Sequence, residues 1–448
     1  MRYSPILTDL FVQNRKQFVG RMRANTIALF ASNDVKHTNA DGVMGFVQNS
    51  DLFYLSGIDQ EETLLMLYPE HHMQGFKEIL FIRETDENTR LYDGERLTKE
   101  EARKISGVER VCWTHEFEDI LQLVAFEADG FYLGHNEYMK RLTKEQLTRQ
   151  DRLIAWVKQK YPLHDCHRAA KITRELRPIK SPVEVSLIQK AVGISAAGYM
   201  RVIKALRPGV KEYELEAELT YEIVRNGSRH AFEPIFASGK NACVLHYVNN
   251  AEVCQDGDMI LMDFGVSYAN YSSDTTRCLP VNGKFSPRQR EVYNSVLHCL
   301  KEGSKLLRPG VMMEDYNRQM GKLVEEQLIK LGLLKQEEVD QQDPAKPLYL
   351  EYFMHGTAHH IGLDVHDVGL YKRPIRAGMV MTCEPGIYIR EEGIGCRLEN
   401  DYLIGKSGNI NLTKSLPIEI EEIEEMMAGR GEAVKAVPKV ADWENQSR

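Results

Sequence analysis

The sequence has no apolar run near the roughly 18–20 residues that a membrane helix needs; its longest are short pieces such as Leu64–Tyr68. Nor does Met1–Phe18 show the basic-then-apolar pattern of a signal peptide, because Asp9, Gln13, Asn14 and Lys16 interrupt it. There is no CxxC pair. The eight cysteines (Cys112, Cys166, Cys243, Cys254, Cys278, Cys299, Cys383 and Cys396) are scattered through 448 residues and read as buried or free thiols in a reducing compartment, the cytoplasm being the default. Excess positive charge is also missing. Lys and Arg number 57 against 65 Asp and Glu, a formal net charge of −8, which argues against a phosphate backbone as partner. What is present, 43% apolar and 27% charged residues, is ordinary for a globular protein long enough for two or three domains.

From Thr26 to about Lys171, short β-rich runs (Thr26–Ala31, Thr63–Tyr68, Glu78–Arg83, Arg110–Thr114, Gly130–Gly134) alternate with amphipathic stretches near Thr8–Met22, Glu116–Ala125 and Thr143–Lys160. That alternation predicts an α/β domain over residues 1–175, with no catalytic cluster in it. Gln48–Gly57 reads there as a loop leading into a strand. Ser181-Pro182-Val183-Glu184 is a capping box with proline at the first helical position, so a second domain, 176–427, opens on a helix. Within it the sequence repeats. Ser181-Pro182 and Ser286-Pro287 each open a helix that ends before a matching Leu-Arg-Pro-Gly-Val, at 206–210 and 307–311. A second helix (about Glu212–Asn226 and Met313–Leu331) and a β-rich region follow each time, which predicts two similar halves with a site between them. Residues 428–448, including Trp443, read as a frayed tail. The fold class expected is therefore α+β.

Each half ends in a pair of acids on β-like sequence. Met259–Asp263 is an apolar strand closing on an acid, and a hairpin folded about Tyr268/Ala269 would set Asp263 directly opposite Asp274. Folding Val380–Glu399 about Glu391/Glu392 sets Glu384 opposite Glu399 in the same way. Two apposed acid pairs beside an apolar core must either share protons or be neutralised by metal, and four carboxylates supply the charge that balances two divalent cations. A nitrogen ligand is available, because His355, His359, His360 and His366 place four of the 14 histidines within twelve positions. His246 stands apart and is a weaker candidate alone, its ordinary reading being a half-buried strand histidine. Carboxylate-rich sites with one imidazole favour Mn²⁺, with Co²⁺ or Zn²⁺ able to substitute.

Asp263, Asp274, His359, Glu384 and Glu399 match, in order, the five ligands of the "pita-bread" metallopeptidases. The phrases His355-Gly356…His359…Gly362–Gly369, Glu384-Pro385-Gly386-Ile387-Tyr388 and Gly393–Glu399 are similar to the proline-specific branch of that family. Gln48–Tyr54 resembles the start of the N-terminal domain of aminopeptidase P. The resemblance implies two metal ions, bridged by Asp274 and Glu399, one completed by Asp263 and the other by His359 and Glu384. It also implies a hydroxide nucleophile between the ions, which Glu384 orients and whose proton it shuttles. His246 and His366 would contact the scissile carbonyl and its oxyanion, His355 would line the pocket for the prolyl ring, and Tyr388 would form a pocket wall or, equally, pack as a strand aromatic in the core. Arg397 would hold Glu399 or Asp274 in place. The activity implied is removal of an N-terminal residue that precedes proline in a peptide, by a cytoplasmic homo-oligomer, dimer or tetramer. A prolidase confined to dipeptides is the alternative, and a non-catalytic relative that binds peptide or protein a more distant one. Two departures from the family bear on the pocket: His360 stands where a bulky apolar or aromatic residue is common, and the loop from Tyr388 to Gly393 is short.

Overall fold

In the computed structural model, which describes residues 2–138 and 147–429, the chain divides into two compact units between Arg177 and Pro178. The first is built on one mixed six-stranded sheet. Its strands are β1 (Thr26–Ala31), β2 (Leu64–Leu67), β3 (Glu78–Ile82), β4 (Arg110–Trp113), β5 (Gly130–Leu133) and β6 (Asp165–Arg168), in the order β4-β3-β2-β1-β5-β6. The central strands β1, β2, β3 and β5 are buried on both faces, so they read as near-continuous apolar runs rather than alternating ones. Ile27, Leu29, Met66, Ile79, Phe81 and Phe131 pack with the helix Phe117–Ala125 on one face. Phe30 meets Phe18 of the helix Thr8–Val19 on the other, ring centroids 5.3 Å apart.

One expectation is corrected here, and one strand had gone unread. Gln48–Gly57 is not a loop into a strand; Ser50–Ser56 is a short helix whose first amides, of Asp51 and Leu52, bond the Asn49 side chain and which ends at Gly57. The strand β6 had no apolar signal because it is a polar edge strand, mostly exposed. The stretch expected from Thr143 is helical over Arg149–Lys160, and residues 139–146 lie outside the described residues, as does the tail beyond Gly429 with Trp443.

The second unit follows the predicted repeat. Helices Pro182–Ala205 and Pro287–Leu306 start at Ser181 and Ser286, each closed by a capping box, and each is followed by a Pro-Gly turn whose glycine (Gly209, Gly310) has φ near +90°. Helices Glu212–Arg225 and Met313–Lys330 come next. Then each half forms antiparallel strands. The first half supplies β7 (Arg229–His230), β8 (Ile235–Ser238), β9 (Met259–Phe264), β10 (Val266–Tyr268), β11 (Tyr271–Ser272) and β12 (Thr275–Pro280). The second supplies β13 (Val380–Cys383), β14 (Gly386–Ile389), β15 (Ile394–Arg397) and β16 (Asn400–Ile404). The strand β9 lies between β8 and β12 with Met259–Met262 buried, which brings the acid at its end to the interior. Among the described residues no helix is long and apolar enough to cross a membrane.

Candidate active site

The first hairpin differs in register from the expected one. Its tip is Ala269–Asn270, both with positive φ (51° and 65°), as a two-residue type I′ turn requires. Asn270 tolerates that conformation and its Oδ1 accepts a bond from Arg229 at 2.7 Å. Moving the tip by one residue slides the pairing by two, so Asp263 faces Thr276 rather than Asp274. An even slip keeps side chains on their face, so Asp274 remains a diagonal neighbour of Asp263 just before β12.

The second hairpin keeps the expected register. Cys383 pairs with Asn400 in β13–β16, Gly386 pairs with Arg397 in β14–β15, and both pairings belong to a single hairpin folded about Glu391/Glu392. The ladder opens at Pro385, which has no N–H to give it. Glu384 and Glu399 stand at that opening, and their backbone amides bond outward, Glu384 to the Thr357 carbonyl (3.0 Å) and Glu399 to the Thr276 carbonyl (3.1 Å). The break thereby joins the histidine segment and the first hairpin to the second.

The histidine segment runs beside β13. The His359 amide bonds Thr382 Oγ1 at 3.1 Å and the Thr382 amide returns to the His359 carbonyl at 3.0 Å. His359 Nδ1 lies 3.0 Å from the His360 carbonyl, which places the ring proton there and leaves Nε2 as a lone pair. That nitrogen is 3.5 Å from Asp274 Oδ2 and 3.6 Å from Glu384 Oε1. Donor atoms of Asp274, His359 and Glu399 all lie within 4.8 Å of one another.

Arg397 holds a different acid from the two expected. Its Nη2 donates to Asp263 Oδ2 at 2.6 Å, its Nη1 to the Tyr388 hydroxyl at 2.8 Å, and its Nε to Thr276 Oγ1 at 3.2 Å. Thr276 Oγ1 in turn donates to Glu399 Oε2 at 2.8 Å, so Arg397 reaches Glu399 only through Thr276. Lysine cannot reproduce this fork. Arg397→Lys should therefore weaken divalent-metal affinity about 10–100-fold, measured by metal titration; unchanged affinity would leave Arg397 without a positioning role.

Tyr388 is 1% exposed, which leaves it no surface for a substrate. In place of a pocket wall it is a buried link, its hydroxyl bonded to both Arg397 and His355 Nε2 (2.8 Å each). The other ring nitrogen of half-buried His355 lies 3.8 Å from Glu384 Oε2. His366 is exposed and its ring lies 4.1 Å from that of His359, centroid to centroid. His246 lies exposed in a turn after the 3-10 helix Gly239–Cys243 rather than half-buried in a strand. His360 is buried, its ring against Tyr371, and burial together with nearby Lys180 pushes its pKa down to about 3. It is a neutral packing residue, not part of the pocket's charge.

Three groups escaped the sequence reading: Thr276, Thr382 and Asp401. Asp401, fully buried, accepts a bond from the Asp274 amide at 3.1 Å, and burial pushes its pKa up to about 7. Burial first, and then neighbouring carboxylates, hold Asp274 and Glu399 well above the usual range.

This donor set fits divalent cations. Asp263 Oδ1, Asp274 Oδ1 and Glu399 Oε1 are buried oxygens with no hydrogen-bond partner, a costly arrangement for the protein alone. A cation held by Asp274, Glu399 and the Nε2 of His359, whose donor atoms lie together, would satisfy two of these oxygens, and a second beside Asp263 the third.

Comparison with known proteins agrees with this geometry. Residues 186–406 match metallopeptidase family M24, and residues 11–132 match the aminopeptidase P N-terminal domain. The chain is 34% identical to the Xaa-Pro aminopeptidase of Escherichia coli (strain K12), over 95% of this chain and 98% of that protein. It superposes on E. coli aminopeptidase P with the inhibitor Pro-Leu at a TM-score of 0.84 and 32% identity, covering 95% of this chain and 99% of that one. A Zn-substituted form of the E. coli enzyme in complex with product matches at 0.84 and 32%, over 96% and 100%. The chain belongs to metallopeptidase family M24 and, through the domain that precedes its acidic site, to the aminopeptidase P branch of that family.

Proposed function

We propose that the chain removes the N-terminal residue that precedes proline in peptides longer than two residues, using two divalent ions held by Asp263, Asp274, His359, Glu384 and Glu399. The observation that carries this reading is the trio of buried, unpartnered oxygens on Asp263, Asp274 and Glu399, facing a histidine whose second nitrogen is already committed to the backbone. When bound, the ions would polarise the scissile carbonyl and lower the pKa of a water towards neutrality. Mn²⁺ suits the oxygen-rich set best, with Co²⁺ or Zn²⁺ able to substitute.

The chain's own residues supply the remaining functions. Glu384, half-buried between His359 and His355, takes a proton from the attacking water on its carboxylate and passes it to the departing prolyl nitrogen. His366, exposed beside His359, donates to the carbonyl oxygen as negative charge develops there. His246 reaches the substrate from its turn. His355, held by Tyr388, flanks the prolyl ring. The family resemblance further supports a homo-oligomer, dimer or tetramer, and the scattered, unpaired cysteines support a reducing compartment such as the cytoplasm.

Assaying Xaa-Pro against Xaa-Pro-Yaa peptides with added Mn²⁺, Co²⁺ or Zn²⁺ tests the proposal. Cleavage of the longer peptides, fastest with Mn²⁺, is the expected result; activity confined to dipeptides would make the protein a prolidase.

A further inference from the structure

Glu212 opens the helix Glu212–Arg225, far in sequence from every acid of the metal site, and it is 0% exposed. A carboxylate buried to that degree is costly unless donors surround it. Five do. Oε1 accepts from the Ser238 amide (2.7 Å), the Ser238 hydroxyl (2.7 Å) and Asn241 Nδ2 (3.5 Å). Oε2 accepts from the Tyr247 hydroxyl (2.8 Å) and the Glu252 amide (2.9 Å). All five donors belong to a single segment, residues 238–252. Ser238 is where that segment leaves β8, Glu252 is where it returns, and Tyr247 adjoins His246 near its middle.

The segment is seated on the metal-bearing hairpins. β8 pairs with β9 so that Ile235 faces Asp263. The 3-10 turn then lies against β15 so closely that a Cβ at Gly395 would be 2.1 Å from the Ala242 carbonyl oxygen. Beyond it the chain comes to the surface, with Val244, His246 and Val248 exposed. The bond from Tyr247 to Glu212 ties this exposed stretch back to the interior.

We infer that Glu212 is a positioning residue for the reaction: it fixes the 238–252 segment, and through Tyr247 it sets where His246 meets the bound peptide. This rests on the substrate-contacting role given to His246 above. Misplacing a contact group by about 1 Å costs on the order of 10²-fold in rate. Glutamine at 212 would turn one acceptor into an NH₂ facing donors, which frees one side of the segment.

The test is a kinetic cycle on the metal-loaded, full-length protein with an Xaa-Pro-Yaa peptide, using Glu212→Gln, Tyr247→Phe, His246→Ala and the two pairwise combinations with His246→Ala. Glu212→Gln and Tyr247→Phe should each lower kcat/KM by about tenfold or more at wild-type metal content, and should cost less than about twofold once His246 is alanine. Tyr247→Phe removes a single hydroxyl, so it carries the test if Glu212→Gln does not fold. Undiminished losses in the His246→Ala background would show a general structural effect and overturn the inference, as would wild-type kinetics for Tyr247→Phe. If His246→Ala itself is silent while Xaa-Pro-Yaa cleavage continues, the inference falls and the proposed activity stands.

Discussion

Asp274→Ala is expected to abolish bound metal and to lower kcat/KM on an Xaa-Pro-Yaa peptide by about 10³-fold or more, the scale of a Lewis-acid contribution of several kcal/mol. The reason is its place in the cluster. One Asp274 oxygen lies 3.5 Å from His359 Nε2 and the other has no partner. Its charge acts on Asp263, Glu384 and Glu399 together. The same variant should not destabilise the metal-free protein, because deleting one of several buried like charges relieves repulsion. Its backbone amide keeps the bond to Asp401. Metal content by elemental analysis, kcat/KM, and melting with and without chelator separate these effects. Retained turnover would refute the dinuclear assignment, and a large loss of metal-free stability would refute the account of the cluster's electrostatics.

The second large effect is on stability. Asp401 has a folded pKa of about 7, because burial disfavours its charged form, against about 3.9 in an unfolded chain. Asp274 and Glu399 are shifted in the same direction. A raised folded pKa means that the fold is favoured fully below the unfolded pKa and that this advantage is lost as pH rises through the folded one. Metal-stripped protein should therefore lose stability between about pH 4 and about pH 7, by up to about 4 kcal/mol from Asp401 alone. Loaded protein behaves oppositely, since metal binds the deprotonated carboxylates more tightly as pH rises. The melting temperatures of loaded and stripped protein should converge near pH 4 and separate towards pH 7. A gap that does not change with pH would contradict this.

Much of the site was legible because its signals are local. Strand β9 is a short apolar run with an acid next to its end, and the Glu391/Glu392 fold point set Glu384 against Glu399 without knowledge of the remaining chain. The first hairpin misled by one residue at its tip, since Ala269 is not a residue that advertises positive φ. The helix Ser50–Ser56 carried its caps, Asn49 and Gly57, in plain view, but its apolar run is too short to show a period. The histidine segment was harder. It has no regular period to phase side chains, so nothing in Phe353–Asp367 says that His359 turns to the acids while His360 turns to Tyr371. Arg397 and Asp263 are 134 residues apart, and the competing partner Glu399 lay two residues away in sequence. Only the packing of one hairpin on the other chooses between them.

That same packing has a consequence for the timing of synthesis. Thr276 and Glu399, bonded to each other in the finished site, are separated by 123 residues. At roughly 5–20 residues per second the first acid pair is synthesised about 6–25 s before Glu399 is added. Asp263 and Asp274 exist without His359 for about the first two thirds of that interval, and without Arg397 for nearly all of it. On the proposed ligand set, therefore, a complete metal site can form only after Glu399 has been added to the chain.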